Sequence, residues 1–304
     1  MCEWCRVEEV GRGVYAVIDV DGGWFRSNSG LINMGDYTLV VDTQYNEARA
    51  RDLVGLIKRL NLPDPGLIVN THHHGDHVWG NHVIGAKSIM HVNAAKHVDM
   101  LRSIGPNMYR QFFPHLDFTG AKYTGPDVIV GDWIELRGAY GSVAVRHYGP
   151  AHTTGDIVVE VGWSDVVFMG DLVFNEVTPL AIDGTVKGWL EVLSRVMEAY
   201  EGKVLIGGHG PVATSKTIDL LIKYFKHVLG ATGYLLNEGL SDPLEIAVKA
   251  TNGPLEGWRE RERIVLNVAR AIMDLRGEQP GTPLEKLPEL AMKMAEYRRI
   301  TSRG

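Results

Sequence analysis

One short run of the sequence, Thr71 to His77, is rich in the residue types that bind divalent metal ions. Imidazole nitrogens and carboxylate oxygens are ligands that suit Zn²⁺ and similar ions. Alternate side chains of an extended segment point to the same side, so His72 and His74 can bind one ion while His73 points away. The run holds four candidate ligands in six residues: His72, His74, Asp76 and His77.

The second half of this run can turn toward a second ion. Gly75 permits a sharp turn, after which Asp76 and His77 can face a metal about 3.5 to 4 Å from the first, as in two-metal hydrolases. Such ions lower the pKa of a bound water from about 15.7 toward about 7 and so supply a bridging hydroxide as nucleophile at neutral pH. We expect Asp76 to orient that nucleophile and to take its proton.

Because one loop cannot complete two coordination shells, further ligands are expected from other segments. Three isolated residues follow strand-like runs and are bracketed by glycine or proline, which lets the backbone bring a short side chain to a shared centre. They are His152, Asp171 and His209. The sequence therefore predicts seven ligands from four segments.

The motif H-x-H-x-D-H, followed by isolated His, Asp and His residues, resembles the metallo-β-lactamase superfamily over roughly residues 10 to 213. The resemblance implies an αββα sandwich of the α/β (α+β) class and two divalent metal ions, zinc first, with iron, manganese, cobalt or nickel also compatible. It also implies that Asp42 supports the histidine loop from outside the ligand shell. The implied ligands are His72, His74 and His152 for one ion, Asp76, His77 and His209 for the other, and Asp171 for both.

Two positions indicate which activities of this superfamily are disfavoured. Asp171 stands where β-lactamases of this superfamily typically have Cys or Ser, and His74 stands where di-iron oxygen reductases have Glu. Both of those activities are therefore disfavoured. A mononuclear iron persulfide dioxygenase remains the alternative from another reaction class. A metal-binding scaffold with a relic site is the non-enzymatic alternative. Such a protein is expected to lack at least one metal ligand, and none of the seven is missing here.

The substrate is less well defined than the chemistry. Within hydrolases we rank a small ester, thioester or lactone first and a phosphate diester or triester second. The candidate substrate contacts are one aromatic residue on an early loop and two polar residues beside ligand-bearing segments: Trp24, Tyr148 and Asn175.

Composition limits the partners. The formal net charge is −6 and there is no block of Lys or Arg, so the field of the protein would repel a phosphate backbone and nucleic acid is not expected. No stretch approaches a membrane span, and the N-terminus lacks the pattern of a signal peptide. We expect a soluble cytoplasmic protein that acts on a small molecule, in an oligomeric state that the sequence does not define. Cys2 and Cys5 read as an incidental terminal pair.

The organisation of the chain predicts a catalytic domain over residues 1–215 and a helical C-terminal subdomain or lid over residues 216–304. Strand-like runs at 13–20, 30–34 and 37–42 indicate an antiparallel meander before a helix at 46–60, and further runs at 126–137, 142–148, 157–162 and 166–169 precede a helix near 189–200. From residue 215 the hydrophobic period is helical. The alternating charges at 259–263 predict a solvated face, although Arg261 or Arg263 could reach a substrate anion.

Overall fold

The computed structural model describes residues 2–302, and two β-sheets lie face to face at its centre. The strands of the first sheet, in sequential order, are β1 (Cys5–Gly11), β2 (Val14–Asp19), β3 (Ser29–Asn33), β4 (Thr38–Val41), β5 (Pro65–Val69), β6 (Lys87–His91) and β7 (Val128–Val130). Pairing is antiparallel from β1 to β4 and parallel from β4 to β7. The predicted early meander is confirmed as β2 to β4, and β1, which was not predicted, pairs with β2 at its edge.

The second sheet is formed later in the chain. Its strands are β8 (Trp133–Gly138), β9 (Gly141–His147), β10 (Ile157–Val161), β11 (Val166–Phe174) and β12 (Val204–His209). Pairing is antiparallel from β8 to β11, and β12 adds to β11 in parallel. The run expected as one strand at 126–137 is divided at Gly131 and Asp132, so that β7 completes the first sheet and β8 begins the second.

The core between the sheets follows from the alternation of side chains along each strand. Ala16, Ile18 and Val41 of the first sheet pack against Val159 and Phe168 of the second, in one buried cluster. The sheets approach closely because β3 carries Gly30, where a Cβ would lie only 2.3 Å from the Phe168 ring.

Helices cover the outer faces of both sheets. The helices before residue 215 are α1 (Glu47–Arg59), α2 (Gly75–Val78), α3 (Asn81–Ile84), α4 (Val92–Leu101), α5 (Asn107–Arg110) and α6 (Val186–Ala199). Helix α1 begins at Asn46, whose side chain accepts a hydrogen bond from the Arg49 amide, and buries Leu53 and Ile57 against Val40. Helix α6 packs its apolar face on the second sheet. The layers are therefore those of an αββα sandwich, as expected.

The C-terminal region is helical, as the sequence indicates, and packs directly on the second sheet. Its α-helices are α7 (Ser215–Asn237), α8 (Pro243–Ala250), α9 (Ile264–Leu275) and α10 (Leu287–Thr301). Phe225 of α7 packs against Trp189 of α6, with ring centroids 4.7 Å apart, and Ile264 and Val268 of α9 join the same cluster. Helices α7 and α9 thus share one core with α6 and the second sheet. The division at residue 215 stays a prediction.

Two further features of the chain are the state of its cysteines and the character of its helices. The sulfurs of Cys2 and Cys5 are joined in a disulfide, so this pair has a covalent role that the sequence analysis did not assign to it. Over residues 2–302, no helix combines the length and the apolar character needed to cross a bilayer.

Candidate metal centre

Asp42 anchors the histidine loop from behind. Its carboxylate accepts hydrogen bonds from the backbone N–H and the hydroxyl of Thr71, both at 2.8 Å, and lies 2.8 Å from His77 Nδ1. The Asp42 backbone has a φ of 56°, a left-handed conformation that is uncommon for a residue with a Cβ. With Nδ1 held by Asp42, His77 has only Nε2 left to face the centre.

The loop turns where the sequence has Gly75. A Cβ at this position would lie 2.2 Å from the Trp79 ring, so a glycine is required for the tight start of α2. The single turn of α2 then carries Asp76 and His77 back toward the sheets, where both are buried. His72 and His74 precede the turn, on the extended segment after β5.

The second sheet supplies three residues from the ends of its strands and loops. His152 Nδ1 lies 2.8 Å from the carbonyl oxygen of Leu180, and His209 Nδ1 lies 3.1 Å from that of Gly22. Both rings therefore direct Nε2 inward. An outer partner on the other ring nitrogen orients a metal-binding imidazole in the same way. Asp171 lies in β11, where Gly208 leaves room for its carboxylate: a Cβ on Gly208 would lie 1.8 Å from Asp171 Oδ1.

These side chains form two groups. In the first, His74 Nδ1 lies 2.9 Å from His152 Nε2, and Asp171 Oδ2 lies 3.2 Å from His152 Nε2 and 3.9 Å from His72 Nε2. The ligand atoms of all four residues lie within 4.8 Å of one another, a spacing that one metal ion can span.

The second group adjoins the first. Asp76 Oδ2 lies 3.3 Å from His209 Nε2 and 3.6 Å from His77 Nε2. Asp171 connects the two groups, because its Oδ1 lies 3.2 Å from His77 Nε2 while its Oδ2 faces the first group. The structure thus brings together all seven candidate ligands, which come from four segments and both sheets.

Unsatisfied polar atoms test whether this cluster fits metal ions. His72 Nε2, His77 Nε2 and Asp171 Oδ1 are buried and have no hydrogen-bond partner, an arrangement that costs free energy unless something else binds them. Burial lowers the pKa of His152 to about 3, which keeps this ring neutral, the state that binds a metal. The donor set of imidazoles and carboxylates fits divalent ions of the zinc type.

One functional candidate escaped the sequence analysis. Asp183 Oδ2 lies 2.8 Å from His74 Nε2 and 3.3 Å from His73 Nε2. His73 does point away from the seven-residue cluster, as expected, and its ring stacks on His97 with a centroid distance of 4.4 Å. Asp183 lies in a loop outside any recognisable motif, so only its spatial position reveals it.

A cavity of about 520 Å³ opens above the cluster. His74, Asp76, Asp171 and His209 form part of its floor, and Asp183 also lines it. Its walls are mainly apolar and come from the loop after β2, from α4 and α5, and from residues 278–284 and Leu287 of the C-terminal region. The apolar wall residues include Trp24, Phe25, Met100, Tyr109, Phe113, Leu180 and Leu284.

The three expected substrate contacts are placed differently. Trp24 lines the cavity. Asn175 does not, because its amide donates a hydrogen bond at 3.0 Å to the carbonyl oxygen of Val212 in the loop after β12. Tyr148 also lies outside the cavity. Its hydroxyl donates a hydrogen bond to that of Tyr200 at 3.3 Å, and its ring packs against the core that α6 shares with the second sheet. Neither residue is therefore part of the cavity lining, and their role as substrate contacts stays a prediction.

Sequence comparison assigns the family. The profile described as the metallo-beta-lactamase superfamily matches residues 22–209, more than half of the chain and all seven residues of the cluster. The chain therefore belongs to the metallo-beta-lactamase superfamily, whose members are largely hydrolytic metalloenzymes.

Solved structures show the same fold at low sequence identity. A metallo-beta-lactamase from Pontibacter korlensis aligns over 73% of this chain and 99% of its own, with a TM-score of 0.61 and 18% identity. The metallo-beta-lactamase FIM-1 from Pseudomonas aeruginosa, in its mono-zinc form, aligns over 73% and 95%, with a TM-score of 0.58 and 18% identity.

A third structure extends the similarity. A double mutant of the sec-alkyl sulfatase PisA1 aligns over 90% of this chain and 50% of its own, with a TM-score of 0.69 and 16% identity. A match of that extent has to include part of the C-terminal helices. These helices are thus an arrangement that also occurs in another protein of this fold.

Proposed function

We propose that the chain is a binuclear metal-dependent hydrolase that cleaves small esters, thioesters or lactones with an apolar part. The observation that carries this proposal is the position of the two ligand groups, joined through Asp171, on the floor of a largely apolar cavity. Phosphate diesters and triesters are the second candidate class.

The cluster would hold two divalent metal ions, of which zinc is the first candidate. His72, His74 and His152 would bind one ion, Asp76, His77 and His209 the other, and Asp171 both. When bound, such ions polarise an ester carbonyl and lower the pKa of water, so that hydroxide is available at neutral pH.

The residues of the chain supply position and proton transfer. Asp76 lines the cavity with an ionisable carboxylate, and we assign it the orientation of the attacking water and acceptance of one proton at its Oδ atoms. The water oxygen bonds to the acyl carbon while the bond from that carbon to the leaving oxygen or sulfur breaks. The leaving atom then takes up the proton that Asp76 accepted from water. The aromatic walls hold the apolar part of the substrate and keep bulk water away.

The test combines metal content per chain with hydrolysis of a panel of compounds. The panel contains p-nitrophenyl esters, a thioester, a lactone, a phosphodiester and a phosphotriester. A secondary alkyl sulfate is added, because the structure with 90% coverage is that of a sec-alkyl sulfatase. Each compound is measured with the wild type, with Asp76→Ala and with Asp165→Ala, which removes a carboxylate whose side chain is 82% exposed.

We expect two metals per chain and turnover of at least one carboxylic ester, thioester or lactone. Asp76→Ala should lower kcat/KM by about 100-fold or more, while Asp165→Ala should match the wild type. A single iron per chain, with oxygen consumption on a persulfide and no hydrolysis of any compound, would overturn the proposal in favour of the dioxygenase.

A further inference from the structure

The charged run 259–263 is not the solvated face that its pattern indicates. Arg263 is 2% exposed and Glu262 is 5% exposed, because the short turn Arg261–Arg263 that leads into α9 lies against the loop after β2. Arg259 and Arg261, by contrast, keep partly exposed side chains. The structure therefore separates Arg263 from its neighbours in the run.

Arg263 is a buried cation in the wall of the metal-site cavity. Its Cζ atom lies 4.4 Å from the centroid of the Trp24 ring and 5.8 Å from that of Phe174. Its Nη1 donates a hydrogen bond at 3.0 Å to the carbonyl oxygen of Thr178. The guanidinium plane is thus fixed by two aromatic rings and one backbone acceptor.

One edge of this guanidinium has nothing to bind. Nε is buried without a hydrogen-bond partner, and within residues 2–302 no hydrogen bond engages Nη2. Nε and Nη2 form the side-on fork with which arginine binds both oxygens of a carboxylate or a related oxyanion. An unpaired fork in a cavity wall is therefore a ready receptor for an anion.

No carboxylate of the described chain lies within ion-pair distance of Arg263. The two closest candidates in sequence are already engaged: Glu260 accepts from Arg298 at 3.1 Å, and Glu262 accepts from Trp24 Nε1 at 3.1 Å and also pairs with Arg298. Burial lowers the pKa of Arg263, and the charges of Glu260 and Glu262 oppose this only in part and from beyond ion-pair distance. An anion bound at the free fork would offset the remaining cost of burying the charge.

Arg263 also lies close to the metal ligands. The Phe174 ring, which it approaches from one side, stacks on His209 at a centroid distance of 5.1 Å and an interplanar angle of 2°. One aromatic ring therefore separates the cation from a ligand of the second group. A molecule with one group at the metal centre can reach Arg263 with another.

We propose that Arg263 is a specificity-determining residue that binds an anionic oxyacid group of the substrate, a carboxylate or a sulfo group, while the scissile bond lies at the metal centre. This inference rests on the proposed hydrolase and narrows its substrates to esters that carry an anion and an apolar segment. Trp24 positions the guanidinium, and the apolar walls accommodate the segment between the two groups.

The test uses three p-nitrophenyl esters with acyl chains of the same length: the hexanoate, the adipate half-ester with a terminal carboxylate, and the analogue with a terminal sulfonate. For the metal-loaded wild type, kcat/KM should be about 10-fold to 100-fold higher for an anionic ester than for the hexanoate. The better of the two anionic esters identifies the oxyacid group.

Arg263→Met should reduce that preference to about one, through a higher KM for the anionic ester. Arg263→Lys should keep only part of the preference, since lysine lacks the planar fork. Arg261→Met is the matched control: Arg261 lies on the same turn but pairs with Glu256, so its loss should leave the preference unchanged.

A binding measurement covers the case in which Arg263→Met fails to fold or no ester is hydrolysed. Adipate carries a second carboxylate that hexanoate lacks. Calorimetric titration of the wild type and of Arg263→Lys with each acid measures the contribution of that second carboxylate to binding. The wild type should bind adipate more tightly than hexanoate. In Arg263→Lys the ratio of the two Kd values should fall by at least about tenfold. Equal binding of both acids, or an anion preference that survives Arg263→Met, would overturn the assignment of Arg263 and leave the hydrolase itself in place. Absence of hydrolysis together with selective binding of adipate would overturn the hydrolase alone.

Discussion

His74 is contacted at both ring nitrogens, one inside the centre and one outside it. Nδ1 lies 2.9 Å from His152 Nε2 within the first ligand group, and Nε2 lies 2.8 Å from Asp183 Oδ2. A carboxylate on the outer nitrogen fixes the orientation of a ligand imidazole and raises its basicity. Asp183 therefore has the position of a residue that tunes metal binding without being one of the seven ligands.

Removing this carboxylate should weaken the metal site. We expect Asp183→Ala to lower metal affinity by about 10-fold to 100-fold, and Asp183→Asn to have a smaller effect because an amide oxygen can still accept from His74 Nε2. Competition with a chromophoric chelator measures the affinity. Asp165→Ala, at an exposed carboxylate, serves as the control. An Asp183→Ala protein with wild-type affinity would show that the contact has no influence on the metal.

At the scale of elements, α9 connects the start of α6 to the cavity wall. Asp274 Oδ2 accepts hydrogen bonds from the Thr185 hydroxyl at 2.9 Å and from the Lys187 amide at 3.0 Å, at the beginning of α6. Its other oxygen pairs with Arg270 at 3.0 Å, and Arg270 also donates to the carbonyl oxygen of Gly281 in the wall segment. A single buried ion pair thus holds three segments together.

Breaking this pair should be far more costly than breaking an exposed one. Asp274→Ala leaves Arg270 as an uncompensated buried charge, so we expect the free energy of unfolding to fall by about 3 to 5 kcal/mol. Asp219→Ala breaks the exposed pair with Lys223 on α7 and should cost less than about 1 kcal/mol. Chemical denaturation of the metal-free variants, followed by circular dichroism, measures both. Similar losses for the two would contradict the assigned role of the ion pair.

At the scale of the whole molecule, the candidate metal ligands come from both sheets. The histidine loop follows β5 of the first sheet, whereas Asp171 and His209 lie in β11 and β12 of the second. Ions bound by both sets would crosslink the layers of the sandwich and stabilise only the folded state.

Metal removal should therefore lower thermal stability. An ion present at about 1,000 times its Kd contributes about 4 kcal/mol to the folded state. We expect Tm in scanning calorimetry to fall after chelation and to recover when Zn²⁺ is restored. The double variant His72→Ala, His209→Ala should show little change in Tm on either treatment. A wild-type Tm that is insensitive to chelation would argue against a metal held between the sheets.

The C-terminal region forms part of the cavity wall. We predicted from the sequence that residues 216–304 form a helical subdomain or lid, and the structure lines the cavity with Arg263, residues 278–284 and Leu287 of this region. Deleting the whole region is a poor test of this prediction, because Phe225 of α7 packs on Trp189 of α6 and the deletion would expose that core. Point substitutions such as Arg263→Met examine the wall without removing the core.

The sequence by itself determined the seven candidate ligands and the order of the main strands and helices. These features depend on short-range patterns: ligand spacing within one loop, glycine-bracketed residues at strand ends, and the period of apolar residues. The resemblance to a known superfamily added the grouping of the ligands and the supporting role of Asp42.

Only the tertiary structure decided the rest. Asp183 meets His74 across 109 positions of the chain, and Arg263 meets Trp24 across 239, so no local pattern records either contact. The run at 259–263 alternates in charge like an exposed surface, and yet packing against a distant loop buries Arg263. The run 126–137 reads as one strand, but a turn sends its two halves into different sheets. The types of ligand are a property of the sequence, whereas the walls of the cavity are made by contacts between distant segments, and these form only when the chain folds.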